Sequence, residues 1–528
     1  MSNTLRERLS YEPVPLKFGT SGRRGNVVDL TQLEIYINAT AELEYLQSLP
    51  LAGGGIQRGD NFYYATDLRP SSRAFVPEER GRGELAQAIE RAIRDTGMIP
   101  VNLGCLPTPA LTSFAIERGN GSMMVTGSHI PFERNGYKCN TALGELLKKD
   151  ESPINQRVDQ IRQKLYNQPF ADSPFDAQGF FKAGHAVLSP VIDDARAAYI
   201  RRYADFFADR SLRGKRLLAY QHSAVGRDIL VEILEKFGAE VIVAGRSETF
   251  VPIDTENIDD AQLAAIQSLV DAQRIGLDAV VSTDGDSDRP LLLGIENGRA
   301  KFFGGDLVGM IAAEFLGADA VVVPVSCNDA IDRGALARVV EPKTRIGSPF
   351  VIAGMEAARK KGRAVVCGWE ANGGFLLGSD IQRGGKTLRA LPTRDAMLPI
   401  LAVLFAAAEK NIPVTESFTR LPKRHSKAAL LKKFPRATSL KIVAQFVDAE
   451  RLEPFFPGFG PIAKIDLTDG VRIYFANGDV AHVRPSGNAD ELRIYAVADT
   501  QARANEIARR GVAEPDGILR KLERAVEK

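Results

Sequence analysis

The sequence lacks the features that would assign the chain to a membrane, nucleic-acid-binding or disulfide-rich class. No apolar run approaches the ~18 residues that span a bilayer, and the first residues lack the apolar centre of a signal peptide. The 68 basic and 66 acidic residues nearly cancel, so no overall field favours nucleic acid or a membrane surface. We therefore expect a cytoplasmic protein with neither kind of partner.

Metal-binding and redox residues are also sparse. The four cysteines and five histidines are dispersed, without the spacing of a zinc site or a redox pair. We expect reduced, mostly structural thiols, as is usual in the cytoplasm. The 528 residues, 44% hydrophobic and 25% charged, are instead typical of a globular chain with several domains.

One local pattern recurs along most of the chain: a helical segment, a glycine, a short apolar run and then a polar loop. It occurs at residues 83–107, 227–245 and 350–368. Helices that alternate with short buried strands predict α/β domains with parallel or mixed sheets. Beyond residue 461, apolar runs are separated by Asp-Gly and Asn-Gly, which predicts hairpins and an α+β domain.

The stretch TGSHIPFERNGYK, residues 126–138, follows the apolar run 121–125. It places a serine, a histidine, an Asn-Gly turn and a lysine together, and we expect the loop to be exposed. An ordinary surface loop explains these residues as readily as a functional one, because glycine, proline and Asn-Gly are common in turns.

Three alternate aspartates, Asp284, Asp286 and Asp288, follow the predicted strand 279–283. Carboxylates this close repel one another unless water or a cation neutralises them. Oxygen ligands without histidine or cysteine favour Mg²⁺, and the calcium-loop template fails because its glycine and glutamate positions hold other residues. Arg289 beside such a site suits a phosphate oxygen. A solvated acidic turn remains the alternative.

Two glycine-rich loops also offer polar groups. KFGTSGRRG, residues 17–25, presents backbone N–H groups and guanidiniums that suit an anion. CGWEANGGF follows the apolar run 364–367 and presents Glu370 and Asn372, whose carboxylate and amide suit neighbouring hydroxyls of a sugar. Taken singly, each is equally compatible with an ordinary polar loop.

Near the C-terminus, HVRPSGNADELRIY combines arginines, a hydroxyl and backbone N–H groups, the donors that hold a phosphate dianion. Its candidate residues are Arg484, Ser486, Gly487, Asn488 and Arg493. Three of the loops follow apolar strands, and ligands of open α/β sheets bind at the carboxyl ends of strands. Together the loops indicate chemistry on a sugar phosphate. Ser128 then fits a phosphoryl carrier, since no Gly-x-Ser-x-Gly elbow surrounds it.

These motifs, in this order, resemble those of the α-D-phosphohexomutases, the superfamily of phosphomannomutases, phosphoglucomutases and phosphoglucosamine mutases. FGTSGRRG matches the N-terminal loop, TGSHIPFERNGYK the phosphoserine loop, DGDSDR the metal loop, EANGG the sugar loop and RPSGNADELRIY the phosphate loop. Three shorter segments also resemble the family: ATDLRPSS, PTPA and KTRIGSP. The resemblance implies three related α/β domains with mixed sheets and a C-terminal α+β domain around a central cleft. Their ranges are 1–188, 189–302, 303–421 and 422–528.

The resemblance also implies a mechanism. Ser128 would pass a phosphoryl group to the free hydroxyl of a hexose monophosphate, and the resulting hexose 1,6-bisphosphate, which also acts as an activator, would turn over in the cleft. The implied Mg²⁺ ligands are Asp284, Asp286, Asp288 and Ser128, the catalytic residues are Ser128, Lys138, Arg24 and His129, and the substrate-binding residues are Thr20, Ser21, Arg289, Gly347, Glu370, Asn372, Arg484, Ser486, Gly487, Asn488 and Arg493.

Departures from the family pattern leave the sugar open. Ile130 and Asn372 stand where the family usually has asparagine and serine, Gly374 where it often has histidine, and Asn488 where it has threonine. The EANGG loop favours mannose, with glucose as a second substrate. A phosphoglucosamine mutase, a Mg²⁺-dependent sugar-phosphate phosphatase and a non-catalytic sugar-phosphate sensor remain alternatives. We expect a monomer or a homodimer.

Overall fold

Four large β-sheets organise the chain, and the computed structural model describes residues 3–256, 258–486 and 490–527. The first region comprises α1 (Leu5–Arg8), β1 (Arg23–Asn26), α2 (Gln32–Ser48), β2 (Asn61–Thr66), β3 (Phe75–Val76), β4 (Arg82–Gly83), α3 (Leu85–Asp95), β5 (Ile99–Cys105), α4 (Thr108–Ile116), β6 (Ser122–Val125), β7 (Arg134–Thr141), β8 (Gly144–Glu145) and α5 (Lys148–Tyr166), with β3 and β4 paired in a small sheet of their own. The second comprises α6 (Asp194–Phe206), β9 (Arg216–His222), α7 (Arg227–Lys236), β10 (Glu240–Arg246), α8 (Asp260–Asp271), β11 (Ala279–Thr283), β12 (Pro290–Glu296) and β13 (Arg299–Phe302).

The remaining two sheets occupy the second half of the chain. The third region comprises α9 (Gly305–Leu316), β14 (Ala320–Val322), α10 (Ser348–Lys360), β15 (Val366–Trp369), β16 (Phe375–Leu377), β17 (Ile381–Arg383), β18 (Lys386–Leu388), β19 (Leu391–Asp395), α11 (Met397–Glu409) and α12 (Val414–Thr419). The fourth comprises β20 (His425–Lys432), α13 (Arg436–Gln445), α14 (Ala449–Leu452), β21 (Ile462–Asp466), β22 (Val471–Phe475), β23 (Val480–Pro485), β24 (Glu491–Ala498), α15 (Gln501–Val512) and α16 (Ile518–Glu527).

Local signals in the sequence set the ends of several elements. Asp259 and Gln262 form a capping box in which each side chain accepts the other residue's backbone N–H at the start of α8. Gly317, with a φ of 71°, adopts the left-handed conformation that ends α9. The apolar run predicted as a buried strand forms β11, and every residue in it is buried.

The first three sheets share one strand order. In the first two, the strands run β5-β2-β6-β7 and β10-β9-β11-β12, with the first three parallel and the last antiparallel. The third sheet repeats the order as β14-β15-β16, with two parallel bridges, Val321 to Val340 and Pro324 to Thr344, at the outer position. The turn before the antiparallel strand therefore has the same topological place in each sheet. Residues 126–133, 284–289 and 370–374 occupy these turns.

The C-terminal sheet is built differently. Its five strands run β20-β24-β23-β22-β21, and every neighbouring pair is antiparallel. Helices α13, α15 and α16 cover its apolar face, as expected for an α+β unit. The predicted class, α/β regions with mixed sheets followed by an α+β region, is confirmed.

The buried apolar side chains of the described residues form five clusters, and two of these show how the regions are joined. One continuous core runs from Tyr63 to Leu421 and joins helices and strands of the first three regions, whereas residues 431–522 enclose a core of their own. We propose that the domain limits lie at the ranges predicted from the sequence.

Over the part of the chain that the structure describes, no helix is long and apolar enough to cross a bilayer.

Candidate active site

Ser128 stands in a strained turn that its neighbours hold in place. Its φ of 55° lies in the left-handed region, which side chains other than glycine rarely adopt. The Ser128 N–H donates to Thr126 Oγ1 (2.7 Å), and Arg69 Nη2 donates to the Ser128 carbonyl (3.1 Å). Thr126 in turn donates to Asp67 Oδ2 at 2.8 Å. The ATDLRPSS segment, which contains Asp67 and Arg69, thus presents the serine in a fixed orientation.

The expectation of an exposed loop was wrong at Ser128, which is 0% exposed, although Pro131 and Glu133 of the same loop are exposed. The turn 284–289 of the second region packs directly on it. A Cβ at Gly285 would lie 2.5 Å from the Ser128 carbonyl oxygen, so only glycine permits this approach. The two loops meet because they leave equivalent edges of two sheets that share one core.

The three aspartates converge on Ser128. Ser128 Oγ donates to Asp284 Oδ2 at 2.7 Å, and the other oxygen of Asp284 accepts two backbone N–H groups of its own turn. Asp286 Oδ2 accepts from Thr108 Oγ1 (2.6 Å) and Lys138 Nζ (2.7 Å). All three aspartates are fully buried, and one carboxylate oxygen of each lies within 4.8 Å of the others.

The cluster fits Mg²⁺ by its chemistry. Asp286 Oδ1 and Asp288 Oδ1 are buried without a hydrogen-bond partner among the described residues, and such oxygens are costly unless a cation takes them. Ser128 Oγ adds a third hard oxygen at the same place. No imidazole or thiolate competes within the carboxylate cluster that the described residues form, which suits Mg²⁺ rather than zinc.

Electrostatics divide the three carboxyls. Burial, and next the charges of Asp286 and Asp288, raise the pKa of Asp284 well above its ordinary value. Burial acts in the same direction on the other two, but the Lys138 ammonium outweighs it at Asp286, and Arg394 with Lys138 at Asp288, so both pKa values are lowered. The neighbouring cations therefore stabilise the charge of Asp286 and Asp288, whereas the charge of Asp284 is disfavoured until a cation binds beside it.

The predicted catalytic residues surround this cluster. Lys138 Nζ donates to Asp288 Oδ2 at 2.6 Å as well as to Asp286. Arg24 lies on β1 among the same carboxylates, and burial lowers its pKa to about 10. His129 Nδ1 is 3.3 Å from the Ser128 hydroxyl oxygen. Burial and then the charges of Arg289 and Arg24 lower the pKa of His129 well below its ordinary value, so the ring is neutral at neutral pH.

Arg289 also reaches this end of the site. Its Nε lies 3.9 Å from Asp284 Oδ2 and 3.7 Å from Asp288 Oδ1, yet this buried Nε has no hydrogen-bond acceptor among the residues described. A guanidinium that faces carboxylates without bonding to them is available to an arriving anionic oxygen.

The sugar loop is bound within its own region and to the second region. Glu370 Oε2 accepts from Arg394 Nη1 at 2.9 Å, and the Asn372 carbonyl accepts from Thr255 Oγ1 at 2.8 Å. Asn372 Oδ1 accepts the Gly374 N–H at 2.9 Å, which shapes the turn. The remaining carboxylate oxygen of Glu370 and the amide nitrogen of Asn372 are the groups suited to sugar hydroxyls.

The N-terminal loop meets the loop that precedes α10. Gly347 has a φ of 127°, and a Cβ there would lie 2.8 Å from Thr20 Cγ2. Ser21 Oγ and Ser348 Oγ both donate to Glu145 Oε2, at 3.4 and 2.5 Å. Thr20, Ser21 and Gly347 therefore lie together at one wall of the site, next to Lys138, which Gly22 approaches closely.

The described residues of the predicted phosphate loop contact residues of their own region. Arg484 Nε pairs with Asp469 Oδ1 at 3.1 Å, Arg493 Nη2 pairs with Glu491 Oε2 at 2.9 Å, and the Ser486 N–H donates to the Glu491 carbonyl at 2.9 Å. Gly487 and Asn488 lie outside the described residues.

Glu256 links this end to the rest of the site and was not predicted. Burial, and next the charge of Asp254, raise the pKa of Glu256 to about 7, while the charges of Arg493 and Arg289 act against that rise. These neighbours show that Glu256 stands between the phosphate loop and the metal loop. The DTEN stretch that contains it carries no motif, so only the folded arrangement reveals it.

Comparison with known proteins agrees with this geometry. Models of the family described as phosphoglucomutase/phosphomannomutase match its α/β/α domain I at residues 15–165, its α/β/α domain III at 304–425 and its C-terminal domain at 409–513. The phosphomannomutase of Sinorhizobium fredii (strain NBRC 101917 / NGR234) is 38% identical over 501 residues, covering 94% of this chain and 98% of its own. The chain belongs to the phosphoglucomutase/phosphomannomutase family.

Other members of the phosphoglucomutase/phosphomannomutase family match over similar lengths. A phosphomannomutase of Salmonella muenchen is 38% identical over 497 residues, with 93% of this chain and 94% of its own covered. The crystal structure of a family protein from Burkholderia thailandensis superimposes with a TM-score of 0.65 at 18% identity, covering 96% of this chain and 97% of the other, and so supports the fold. The resemblance seen in the motifs is confirmed.

Several residues that support the site were not predicted individually from the sequence. Asp67, Arg69 and Thr108 sit in the ATDLRPSS and PTPA segments, so the sequence did carry a signal for them. Thr255 and Arg394 carried none, because each acts on a loop from another stretch of the chain. Contacts of that kind require the tertiary structure.

Proposed function

We propose that the chain is a phosphohexomutase that interconverts hexose 1-phosphate and hexose 6-phosphate, with mannose as the preferred sugar. The observation that carries this proposal is the placement of Ser128 Oγ, 2.7 Å from Asp284 within a buried carboxylate cluster that Lys138 also contacts. The two relatives named phosphomannomutase, each 38% identical over nearly the whole chain, support the choice of mannose.

Ser128 carries the phosphoryl group in this proposal. The free hydroxyl oxygen of a hexose monophosphate forms a bond to phosphorus as the bond between phosphorus and Ser128 Oγ breaks. The hydroxyl proton leaves to a base, a role that suits the neutral His129 ring beside Ser128. Ser128 Oγ takes up a proton as it is released, and Lys138, which donates to the neighbouring carboxylates, is the candidate donor. Reversal with the other phosphate of the 1,6-bisphosphate returns the group to Ser128 and releases the product.

Mg²⁺ fits the set formed by Asp284, Asp286, Asp288 and Ser128. When bound there, it neutralises charge on the transferring phosphoryl group. Arg24 and Arg289 supply fixed positive charge at the same place without proton exchange, because their guanidiniums stay protonated. Positioning and charge neutralisation are then the main sources of acceleration, as for phosphoryl transfer in general.

The other end of the site would hold the phosphate that does not react. Arg484, Ser486 and Arg493 are the described residues of this group, and Glu370 and Asn372 read hydroxyls between the two ends. A hexose 1,6-bisphosphate serves as activator by phosphorylating Ser128.

A cytoplasmic location is supported by the four free cysteines, and a monomeric or dimeric state stays a prediction.

Phosphorus NMR tests the function directly. Mannose 1-phosphate and glucose 1-phosphate are incubated side by side with the protein, Mg²⁺ and a trace of glucose 1,6-bisphosphate. We expect conversion of both to the 6-phosphates, with mannose faster. Release of inorganic phosphate without isomerisation would show a phosphatase instead, and absence of any conversion would contradict the proposal.

A further inference from the structure

Arg394 connects the metal loop to the sugar loop. This β19 residue is 2% exposed, and its guanidinium makes three charge-assisted hydrogen bonds. Nε and Nη2 donate to Asp288 Oδ2 at 3.0 and 2.9 Å, and Nη1 donates to Glu370 Oε2 at 2.9 Å. One side chain therefore fixes a carboxylate of the metal cluster and the carboxylate proposed to read the sugar.

The chemistry of these contacts requires arginine. A planar guanidinium directs donors along two sides at once, whereas a lysine ammonium is a single point charge on a flexible stem. Asp288 and Glu370 leave different sheets, so a point charge placed against one leaves the other buried without its cation. Burial of an unpaired carboxylate is strongly unfavourable, which makes the fork geometry decisive.

The sugar loop is shaped to admit this arginine. A Cβ at Gly374 would lie 2.4 Å from Arg394 Cδ and 2.8 Å from its Cγ. The stem of Arg394 thus fills the space that any side chain at position 374 would need. Gly374 and Arg394 therefore fit against each other as a pair.

Residues on either side of Arg394 hold the strand in place. Thr393 Oγ1 donates to Glu145 Oε1 at 2.7 Å, and Tyr199 donates to Asp395 Oδ1 at 2.6 Å. Tyr203 donates to the other oxygen of Asp395. The guanidinium is therefore presented from a strand anchored to the first and second regions, and its orientation is set before any ligand arrives.

We propose that Arg394 is a positioning residue that holds Asp288 and Glu370 in one fixed relation, so that the metal site and the sugar-reading carboxylate keep a common geometry. The proposal rests on the proposed function. It concerns how the two loops are coupled, and it applies whichever hexose phosphate is preferred.

The test uses Arg394→Lys, with the exposed Arg389→Lys of the same region as the matched control. Two affinities are measured without turnover: mannose 6-phosphate by calorimetry in the presence of EDTA, and Mn²⁺ by electron paramagnetic resonance in the absence of sugar. Because one ammonium cannot span both carboxylates, we expect at least one affinity to fall about tenfold or more. Arg389→Lys should leave both unchanged.

A double-mutant cycle with Glu370→Gln separates positioning from general stability. If Arg394 acts on the sugar through Glu370, adding Arg394→Lys to Glu370→Gln changes mannose 6-phosphate affinity by less than about threefold. Gly374→Ala supplies a second variant that displaces the guanidinium from the opposite side, and it should weaken the same affinity with the arginine retained.

Two results would overturn the proposal. Both affinities of Arg394→Lys within about threefold of the parent would show that the fork is dispensable. Full additivity with Glu370→Gln would show that Arg394 does not act through that carboxylate. Failure of the proposed function is visible separately, because the unaltered protein would then bind Mn²⁺ but convert neither mannose 1-phosphate nor glucose 1-phosphate.

Discussion

The two ends of the site differ in how their charges are satisfied. At the serine end, carboxylate oxygens of Asp286 and Asp288 are buried without hydrogen-bond partners in the described structure, and three regions that share one core surround them. At the phosphate end, Arg484 and Arg493 are each paired with an acid of their own region, which has a separate core.

This difference indicates what each end requires. The serine end is preorganised and incomplete, so a cation and a phosphoryl group add to it with little rearrangement. At the phosphate end the charges of Arg484 and Arg493 are balanced by neighbouring acids, so a phosphate competes with Asp469 or Glu491 for its arginine. Asp469 Oδ2 also accepts the Ile346 N–H at 2.9 Å, which ties the fourth region to the third.

Removal of the proposed carrier should have the largest effect. Ser128→Ala is expected to lower kcat by at least about 10⁴-fold, because no other group can take the phosphoryl from the sugar. Steady-state assays with mannose 1-phosphate measure this. The melting temperature should change little, since only the hydroxyl contacts with Asp284 and His129 are lost. Turnover at the parent rate would remove Ser128 from the mechanism.

Asp286→Asn tests the serine end at one of the proposed metal ligands. The change removes a charge and unbalances Lys138, so we expect kcat/KM to fall about 10³-fold and Mn²⁺ affinity to weaken. Binding of Mn²⁺ followed by electron paramagnetic resonance checks the second effect. Asp271→Asn, an exposed aspartate of the same region, is the control and should bind Mn²⁺ normally.

Much of the serine end could be predicted from the sequence. The loops after the apolar runs 121–125 and 279–283 carry Ser128 and the aspartates, and equivalent strands bring such loops to one edge. The burial of Ser128 was missed, because it arises from one loop packing on another. The ion pairs that Arg484 and Arg493 form with Asp469 and Glu491 were also not predicted. A motif indicates which ligand an arginine can bind, but it does not show which acid pairs with that arginine when the ligand is absent.

His482 gives the fourth region a pH dependence. This buried ring donates Nε2–H to the Asp469 carbonyl, and burial followed by the Arg472 charge lowers its pKa to about 3. In the unfolded chain His482 binds a proton as the pH falls below 6.5, whereas in the folded protein it does so only near pH 3. The free energy of unfolding should therefore fall as pH drops, by about 3 kcal/mol at about pH 4.5.

Denaturant unfolding across this pH range measures the effect. His482→Gln keeps a donor for the Asp469 carbonyl and removes the titrating group. In that variant the decline in stability between pH 6.5 and about pH 4.5 should be smaller by the same amount. An identical decline in both proteins would show that His482 does not contribute.

Arg484→Ala tests the phosphate end. The arginine would hold the phosphate that does not react, so its loss should raise KM about 30-fold with a smaller change in kcat. Initial rates over a range of mannose 1-phosphate concentrations separate the two constants. Arg451→Ala, an exposed arginine of the same region, should leave both unchanged. A fall in kcat alone would contradict the division between the two ends.

Asp469→Asn should have the smallest effect and the opposite sign. Asparagine keeps an oxygen for the Ile346 N–H but no longer neutralises Arg484, so KM should fall about threefold. Asp516→Asn, which disrupts an exposed ion pair with Arg524, is the control. An increase in KM would show that Asp469 positions Arg484 for phosphate and does not compete with it.

The most direct test of the account follows one phosphoryl group through Ser128. The protein is labelled with radioactive hexose 1,6-bisphosphate, freed of excess label, and mixed with one equivalent of mannose 1-phosphate and Mg²⁺. We predict label on Ser128 before mixing, located by peptide mass spectrometry, and afterwards label first in mannose 1,6-bisphosphate and then in mannose 6-phosphate. Label on another residue, or its release only as inorganic phosphate, would contradict it.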